Sequence, residues 1–240
     1  MTTVRRLNDP LHVSQQYETE DGLAARKRVY RKVTGPDAHA LALDAVLEAE
    51  PRRVLDVGCG EGELAERLAV HADVVAVDQS PRMVELTAAR GVDAVVADVQ
   101  DLPFADESFD VVLAAWMLYH VHDLEQGLTE IARVLRPGGR LVATTNAADH
   151  LEELLALGGL TRWDLLFATE NGVERLCRHF ATVERRDGFG TVTFEDIGMV
   201  RSYFESSERL ASGLGRLPDA LPEPLVARRC PTVFIATKGT

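Results

Sequence analysis

Between Arg52 and Thr145, short apolar runs alternate with amphipathic stretches, and this alternation constrains the fold more than any other feature of the sequence. The runs are nearly continuous in valine and alanine, as expected for strands that are covered on both faces. They predict strands at 52–57, 73–78, 93–97, 109–115 and 140–145. Because strands that alternate with helices pair in parallel through right-handed crossovers, the sequence predicts a doubly wound α/β sheet.

Helices are predicted where apolar residues recur at spacings of three and four. They cover residues 22–33, 36–49, 61–70, 123–135, 150–157, 170–180 and 195–206. One more helix is expected to begin at Ser80-Pro81, because serine is a good N-cap and proline suits the first helical position. Pro137-Gly138-Gly139 is predicted to be a turn that ends the helix before it.

The last third of the chain has a looser pattern. Thr182–Arg186 and Thr232–Thr237 are predicted to supply an antiparallel pair at one edge of a seven-stranded, mostly parallel sheet, with the helix at 195–206 inserted between them. Residues 191–194 are predicted to form a further strand, and 212–224, which contain several prolines and glycines, a loop. No internal repeat is visible, so the sequence favours one domain with helical additions.

Charge and cysteine content exclude several classes of protein. Lysine plus arginine number 26 and aspartate plus glutamate 38, so the formal net charge is −12, which argues against a nucleic-acid partner. Cys59, Cys177 and Cys230 form no CxxC pair, which predicts a reducing compartment and no metal site. The N-terminus has no signal-peptide pattern, and the longest apolar run, 111–119, is about half as long as a membrane helix. A cytoplasmic protein without a membrane partner is expected.

The strongest local signal is a glycine-rich stretch, Asp56-Val57-Gly58-Cys59-Gly60-Glu61-Gly62, at the passage from a predicted strand to a helix. Ligands bind at this position in open α/β sheets, although a tight turn without a ligand would have the same pattern. The dinucleotide fingerprint GxGxxG would require a glycine where Glu63 stands. A carboxylate such as Asp56 disfavours a pyrophosphate, and it favours a ligand with sulfonium and ammonium groups.

Two further aspartates follow the second and third strands. Asp78 lies twenty residues after Gly58, where a carboxylate can accept hydrogen bonds from both hydroxyls of a ribose. Asp98 could accept a hydrogen bond from the exocyclic amine of an adenine, while the N–H of Val99 offers a donor. Asp98 could equally be a simple turn residue.

Together these motifs resemble the class I S-adenosylmethionine-dependent methyltransferases, in particular their small-molecule branch. The matching segments are Asp56-x-Gly58-x-Gly60-x-Gly62, Asp78, Ala97-Asp98, Leu102-Pro103-Phe104, Ser108-Phe109-Asp110-Val111-Val112 and Arg133-Val134-Leu135-Arg136-Pro137-Gly138-Gly139. The resemblance covers about Arg52 to Thr145. It specifies the cofactor and says little about the methyl acceptor.

The resemblance implies a Rossmann-like fold and a set of residues that hold S-adenosyl-L-methionine. They are Asp56, Gly58, Cys59 and Gly60 at the methionine portion, Asp78 at the ribose, Gln79 and Met83 beside the ribose and adenine, Asp98 and Val99 at the adenine, and the backbone at Ala114 at the ammonium group. It further implies one methyltransferase domain over 1–240, in which 1–50 form N-terminal helices and a lid, 51–147 the cofactor-binding core, and 148–240 the substrate-side helices and last strands.

Methyl transfer requires a nucleophile held in line with the bond between the methyl group and sulfur, and an oxygen nucleophile also requires a base. His120 is the candidate base, because it follows the fourth strand at its carboxyl end, although it could instead cap or pack against the next helix. His122 is the weaker candidate. Nothing in the sequence singles out the other histidines, which are His12, His39, His71, His150 and His179.

Substrate residues are expected among aromatic side chains outside the cofactor core. Tyr17, Trp116 and Tyr119 are the candidates for the methyl acceptor, and Arg26 is a candidate for the cofactor carboxylate. An apolar pocket could also draw on other aromatic residues, most of which are expected in the core: Trp163, Phe167, Phe189, Phe194, Tyr203 and Phe204. The expected reaction is transfer of a methyl group to an oxygen, nitrogen or carbon atom of a small molecule.

Two other functions remain compatible with the sequence. One is a non-catalytic S-adenosylmethionine-binding subunit or activator of a partner protein. The other is a nucleotide-dependent reductase, which the spacing at Gly62 and Glu63 disfavours. Nucleic-acid methyltransferases are disfavoured because Ala114-Ala115-Trp116-Met117 lacks their acidic or amide residue before Pro-Pro, and because Cys230 lies in the wrong part of the chain for a nucleophile. The oligomeric state stays open.

Overall fold

A twisted sheet and a small two-stranded sheet organise the protein. The computed structural model describes Asn8, Tyr30 and residues 32–240. The strands are β1 Arg53–Val57, β2 Asp73–Asp78, β3 Asp93–Val96, β4 Phe109–Ala115, β5 Leu135–Asn146, β6 Thr182–Asp187, β7 Gly190–Phe194, β8 Leu225–Arg229 and β9 Pro231–Thr237. Seven of them form one sheet in the order β3-β2-β1-β4-β5-β9-β6, and β7 pairs with β8.

The main sheet has the expected mixture of strand directions. Neighbouring strands from β1 to β5 run parallel, whereas β9 is antiparallel to both β5 and β6. The predicted seven-stranded, mostly parallel sheet with an antiparallel pair at its edge is therefore confirmed. Because the chain runs outward from β1 to β3 and then returns to β4 on the other side of β1, a crevice is expected at the carboxyl ends of β1 and β4.

The helices connect the strands close to the predicted positions. They are α1 Ala38–Leu47, α2 Glu63–Leu68, α3 Pro81–Ala89, α4 Leu124–Val134, α5 Glu152–Leu157, α6 Gly172–Leu176, α7 Ile197–Phe204 and α8 Glu208–Ala211, with 3₁₀ turns at Leu118–His120 and Leu214–Arg216. The Ser80 side chain accepts a hydrogen bond from the Met83 N–H, and Pro81 is the first helical residue of α3. This confirms the start that the Ser-Pro pair predicts.

Alternate residues of each strand point to opposite faces of the sheet, and helices cover both faces. On one face, Val54 packs in a buried cluster with Val46 of α1 and Leu68 of α2. On the other face, Leu55 packs in a second cluster with Ile131 of α4. Strands with both faces buried need apolar residues at every position, which is why the runs in the sequence do not alternate.

The small sheet belongs to a third cluster, beside the carboxyl ends of the main strands. Its core comprises Leu151, Leu154, Leu155, Val192, Phe194, Val200, Tyr203, Phe204, Leu210, Leu217 and Ala227. The strand predicted at 191–194 is present as β7, but its partner is β8, which the sequence pattern does not predict. β8 lies between a proline-rich loop and β9, and no distinct sequence pattern separates its five residues from these neighbours.

The prediction of an N-terminal helix at 22–33 is wrong at the C-terminal end of that helix. Lys32 and Val33 are not helical, and Val33 forms an antiparallel bridge with Val192 of β7. The Thr34 N–H donates to the Thr191 carbonyl at 2.9 Å, so this segment extends the small sheet. The remainder of the predicted helix lies outside the described residues, apart from Tyr30.

The turn predicted at Pro137-Gly138-Gly139 is also wrong, because β5 begins at Leu135 directly after α4. The pairing of β4 with β5 shifts register between Phe109 and Val111, which marks a bulge. Gly138 has a φ of 75°. A Cβ on Gly139 would lie 2.9 Å from the Asp110 carbonyl oxygen. The two glycines therefore permit a bulge within the strand rather than a break before it.

Candidate active site

The glycine-rich stretch joins β1 to α2 at the carboxyl ends of the parallel strands. Gly58, Gly60 and Gly62 have φ values of 67°, 54° and 77°, a conformation that other residues rarely adopt. The N–H groups of Gly58 and Cys59 donate to the Val77 carbonyl at 2.8 and 3.1 Å. These bonds hold the loop against the end of β2 and leave its outer side open to the crevice.

Asp78, the last residue of β2, is fixed by the same loop. One of its carboxylate oxygens accepts a hydrogen bond from the Gly60 N–H at 3.0 Å, and the other from the Ser80 N–H at 2.9 Å. Burial raises the pKa of Asp78, while these backbone donors lower it. Each carboxylate oxygen can accept more than one hydrogen bond, so Asp78 keeps acceptor capacity for a pair of hydroxyls.

Asp56 lies in β1, next to the loop, and is only 2% exposed. Burial, with a further contribution from the negative charge of Asp78, raises the pKa of Asp56 to about 8. A buried carboxyl group in that state would become ionised beside a cation. The pair of aspartates therefore fits a ligand that carries positive charge near the glycine loop and hydroxyls near Asp78.

One cavity of about 680 Å³ connects this region with the third cluster. Its cofactor half, as we name it, is lined by Asp56, Gly58, Cys59, Gly60, Glu61, Val77, Asp78, Gln79, Ala97, Val99 and Val121. Its acceptor half is lined by Tyr30, Trp116, Asn146, His150, Trp163, Leu165, Tyr203, Leu210 and Arg229. Met117, Tyr119 and His120 also line the cavity. The two halves differ chemically, since the first is acidic and glycine-rich and the second is mainly aromatic and apolar.

The structure brings together most of the residues that the sequence singles out. Those that line the cavity are Asp56, Gly58, Cys59, Gly60, Asp78, Gln79, Val99, Trp116, Tyr119 and His120. Met83 and Ala114 are fully buried and contribute no lining surface. Tyr17 and Arg26 lie outside the described residues.

Asp98 also stays outside the lining, since its carboxylate is bound by Gln100. The Gln100 side-chain amide donates to both Asp98 oxygens, at 3.0 and 2.9 Å, and the Gln100 N–H donates at 2.9 Å. This arrangement is the turn that the sequence left as the alternative for Asp98. An adenine would therefore have to share the carboxylate with Gln100, and the neighbouring Val99 lies at the cavity instead.

His120 ends the 3₁₀ turn that follows β4, and its ring lies 4.5 Å from that of Tyr119 between centroids. Trp116 begins this connection with a φ of 54°, and its ring lies 4.6 Å from that of His39. The Trp116 Nε1–H donates to the Asn146 side-chain oxygen at 3.4 Å. The connection after β4 thus brings Trp116, Tyr119 and His120 to the lining of the cavity.

His150 and Arg229 are cavity residues that the sequence analysis missed. The Cys230 N–H donates to His150 Nδ1 at 3.0 Å, so the hydrogen of the neutral ring resides on Nε2. Nε2 lies 3.1 Å from the Tyr30 hydroxyl oxygen and donates to it. Burial, and then the charge of Arg229, lower the pKa of His150 to about 4. No sequence signal marks these residues, because their partners are distant in the chain.

The other aromatic candidates divide between cavity and core. Trp163 and Tyr203 line the acceptor half, whereas Phe167, Phe194 and Phe204 are fully buried and Phe189 is exposed. Burial raises the pKa of the Cys230 thiol to about 11, which leaves it a poor nucleophile. In the described part of the chain, no group of histidine, cysteine or acidic side chains is arranged to hold a metal ion, and no helix is long and apolar enough to cross a membrane.

Comparison with known proteins agrees with this geometry. Residues 55–143 match a family model described as a methyltransferase domain. An uncharacterized methyltransferase of Mycobacterium bovis is 42% identical over 112 residues, which cover 45% of this chain and 46% of the relative. A demethylmenaquinone methyltransferase of Thermus thermophilus is 42% identical over 110 residues, which cover 42% of this chain and 50% of the relative. The chain spans about half the length of these curated relatives.

A solved structure has the same fold over most of its length. It is a methyltransferase of Thermotoga maritima that depends on S-adenosylmethionine, described as a possible histamine N-methyltransferase, with a TM-score of 0.61 and 24% identity. The alignment covers 94% of this chain and 99% of that one. Residues 55–143, which match the family model, contain most of β1, all of β2 to β4, the glycine loop and Asp78, which contribute to the cofactor half of the cavity. Residues 55–143 of the chain therefore match a methyltransferase domain, within a fold that the solved methyltransferase shares.

Proposed function

We propose that the protein transfers a methyl group from S-adenosylmethionine to a small, largely apolar molecule. The observation that carries the proposal is the continuous cavity, in which an acidic half with a glycine loop opens into an aromatic half. When bound, the cofactor supplies a methyl group that is already activated by the sulfonium. The residues of the chain have to hold both partners in line and exclude water, which accounts for a large part of the rate in such reactions.

The cofactor half has groups for each part of the cofactor. Asp56 would face the positively charged methionine portion, and Asp78 would accept hydrogen bonds from the ribose hydroxyls. Val99 and Gln79 would contact the adenine and ribose. Asp98, Met83 and the backbone at Ala114 contribute no surface to the cavity. They would therefore act indirectly, by positioning their neighbours Val99 and Ala115, which line it.

The acceptor half favours an organic molecule of moderate size. The whole cavity, of about 680 Å³, has to hold both the cofactor and the acceptor, and it falls within the usual range of small-molecule sites, about 300–1,000 Å³. Trp116, Trp163 and Tyr203 would contact rings or alkyl groups, and polar side chains such as Asn146 and Arg229 are available to fix orientation. The name of the demethylmenaquinone relative agrees with an acceptor of this apolar kind.

His120 is the proposed base when the acceptor atom is a hydroxyl oxygen. It lines the cavity at the end of the turn that follows β4, the strand next to β1 and its glycine loop. His150 is unsuited to the role, because its Nδ1 accepts from the Cys230 N–H and its Nε2 carries a hydrogen. Removing a proton from the acceptor as the bond forms would then fall to the His120 imidazole.

The proposal is tested by a screen of small molecules that counts S-adenosylhomocysteine release. Hydroxylated, amine-bearing and carbon-nucleophile aromatics should be included, together with the cofactor alone. Release that requires one class of acceptor would support the proposal. A protein that binds S-adenosylmethionine in a calorimetric titration but never releases S-adenosylhomocysteine with any acceptor would instead favour the non-catalytic subunit.

Replacing Asp78 with alanine should weaken S-adenosylmethionine binding by roughly 10- to 150-fold, which corresponds to about 1.5–3 kcal/mol for lost charge-assisted hydrogen bonds. The substitution also removes the acceptor for the Gly60 N–H, so the loop would be held less firmly. Calorimetric titration measures the effect. Asp73→Ala, at the exposed start of the same strand, is the matched control and should leave the affinity unchanged. An unchanged dissociation constant for folded Asp78→Ala would exclude the ribose role.

A further inference from the structure

Arg229 is a buried cation at the wall of the acceptor half. It is the last residue of β8, its exposed fraction is 7%, and it lines the cavity. Taking a guanidinium out of water is costly unless its charge or its hydrogen-bonding groups are compensated. The partners of Arg229 therefore indicate what this end of the cavity is suited to bind.

The described partners of Arg229 are neutral. Its Nε donates to the Thr34 carbonyl at 3.0 Å, and its Nη2 donates to the Pro36 carbonyl. Asp37 follows Pro36 in the sequence, but its carboxylate accepts a hydrogen bond from the His39 N–H as the N-cap of α1. Within residues 32–240, no carboxylate lies within ion-pair distance of Arg229, and its Nη1 has no hydrogen-bond partner.

Among the described residues, none that hydrogen-bonds Arg229 carries a negative charge. His150 is its neighbour, and burial together with the positive charge of Arg229 keeps that imidazole neutral, with a pKa of about 4. The His150 Nε2–H donates to the Tyr30 oxygen and Nδ1 accepts from the Cys230 N–H, so both ring nitrogens are engaged by neutral groups. The buried carboxyl groups of the cavity, Asp56 and Asp78, line the other half. The cavity is therefore acidic at one end and cationic at the other.

We propose that Arg229 binds an anionic group of the methyl acceptor, a carboxylate or another ionised oxygen, through Nη1. This inference rests on the proposed function, since it assigns the acceptor to this half of the cavity. The methyl acceptor is then an apolar molecule with one acidic group, held with that group at β8 and with its nucleophilic atom toward the cofactor half. A charged oxygen on a guanidinium is among the stronger hydrogen-bonding arrangements in proteins.

The test uses two fluorescent probes that differ by one charged group, 8-anilinonaphthalene-1-sulfonate and the neutral N-phenyl-1-naphthylamine. Both are titrated into protein saturated with S-adenosylhomocysteine, so that the acceptor half is the part of the cavity left for them. The parent protein should bind the anion roughly 10- to 100-fold more tightly than the neutral probe, as expected for a charge-assisted hydrogen bond. Arg229→Gln should lose most of that preference and keep its affinity for the neutral probe.

Arg228→Gln is the matched control. It lies on the same strand, but its exposed guanidinium pairs with Glu152 and Glu153 at 3.2 and 2.8 Å, so the preference for the anion should remain. Arg229 also holds the Thr34 and Pro36 carbonyls, and thermal unfolding will reveal whether Arg229→Gln is destabilised. If it does not fold, Arg229→Lys, which keeps the charge and loses the fork of donors, should have an intermediate preference.

Several results would overturn the inference. They are equal binding of both probes by the parent protein, an undiminished preference in folded Arg229→Gln, or an equal loss of preference in Arg228→Gln. If Arg229→Gln binds S-adenosylhomocysteine much more weakly than the parent protein does, Arg229 binds the carboxylate of the cofactor instead. Failure of the parent protein to bind S-adenosylhomocysteine contradicts the proposed function itself. That result is separate, because the probes can also be titrated without the ligand.

Discussion

Replacing His120 with alanine should lower the turnover number by about 10²–10⁴-fold if the acceptor is a hydroxyl, the usual contribution of a general base. His120 ends the 3₁₀ turn after β4 and lines the cavity. Affinity for S-adenosylmethionine should barely change, because the buried carboxylates of the cofactor half and the glycine loop remain. The effect should therefore be seen in kcat rather than in cofactor binding.

The measurement is steady-state kinetics on an acceptor identified by the screen, over pH values from about 5 to 9. The rate of the parent protein should rise with pH as the base loses its proton, and this rise should vanish in the variant. His122→Ala, two residues further on and exposed, is the matched control and should leave kcat nearly unchanged. A decrease in kcat of less than about threefold in His120→Ala would mean that His120 has a structural or binding role and is not the base. A raised Michaelis constant with little change in kcat would indicate an acceptor that needs no base.

Binding of S-adenosylmethionine should weaken about tenfold for each pH unit below about pH 7, and Asp56→Asn should remove this dependence. Burial raises the pKa of Asp56 to about 8 in the protein without ligand, so the carboxyl group is protonated at neutral pH. A cationic ligand favours the carboxylate, so binding has to expel the proton. Lower pH opposes that loss, which gives the sign of the effect.

Calorimetric titrations in buffers with different ionisation enthalpies measure the released protons directly. The parent protein should release about one proton per cofactor at pH 6.5, and Asp56→Asn should release close to none. Asp78→Asn serves as the comparison, because it removes the neighbouring charge but keeps the buried carboxyl of Asp56. Absence of proton release in the parent protein would mean that Asp56 stays protonated beside the cofactor, or is already ionised before it binds.

Protonation of Asp56 affects the stability of the ligand-free protein in the opposite direction to its effect on cofactor binding. The pKa of Asp56 is about 8 in the folded state, above the ordinary value of 3.8. At a pH between these two values, the folded state therefore holds a proton that the unfolded state has lost. Stability therefore falls as pH rises from about 4 to about 8. Asp56→Asn should make this decline smaller, which urea unfolding at pH 6 and pH 8 would measure. Asp56 would thus be kept for binding at the expense of stability.

The cofactor half could be predicted from the sequence because its determinants are local. The glycines at 58, 60 and 62 follow directly on β1, and each adopts the positive φ that favours glycine. Asp78 ends β2, and adjacent parallel strands end at the same edge of the sheet, so its position beside the loop follows from the strand pattern alone. The sheet itself was predictable for the same reason, since apolar runs without alternation require cover on both faces.

The acceptor half depends on contacts that no local pattern contains. His150 is fixed by Cys230 and Tyr30, which are 80 and 120 residues away in the sequence. Arg229 belongs to β8, a five-residue strand whose pairing with β7 brings it to the cavity, and its partners lie nearly two hundred residues earlier. A lone histidine or arginine has many ordinary roles, so only its three-dimensional neighbours give these two a chemical meaning.

Local sequence patterns were enough to predict the main sheet, the glycine loop and the positions of Asp56 and Asp78, because backbone conformation and strand ends depend on neighbouring residues. The folded structure alone establishes which side chains line the acceptor half, and it engages Asp98 with Gln100 rather than with the cavity. It also placed a buried cation opposite the buried carboxyl groups. Packing between distant segments sets burial and charge together, and those two quantities fix the chemistry of the acceptor half.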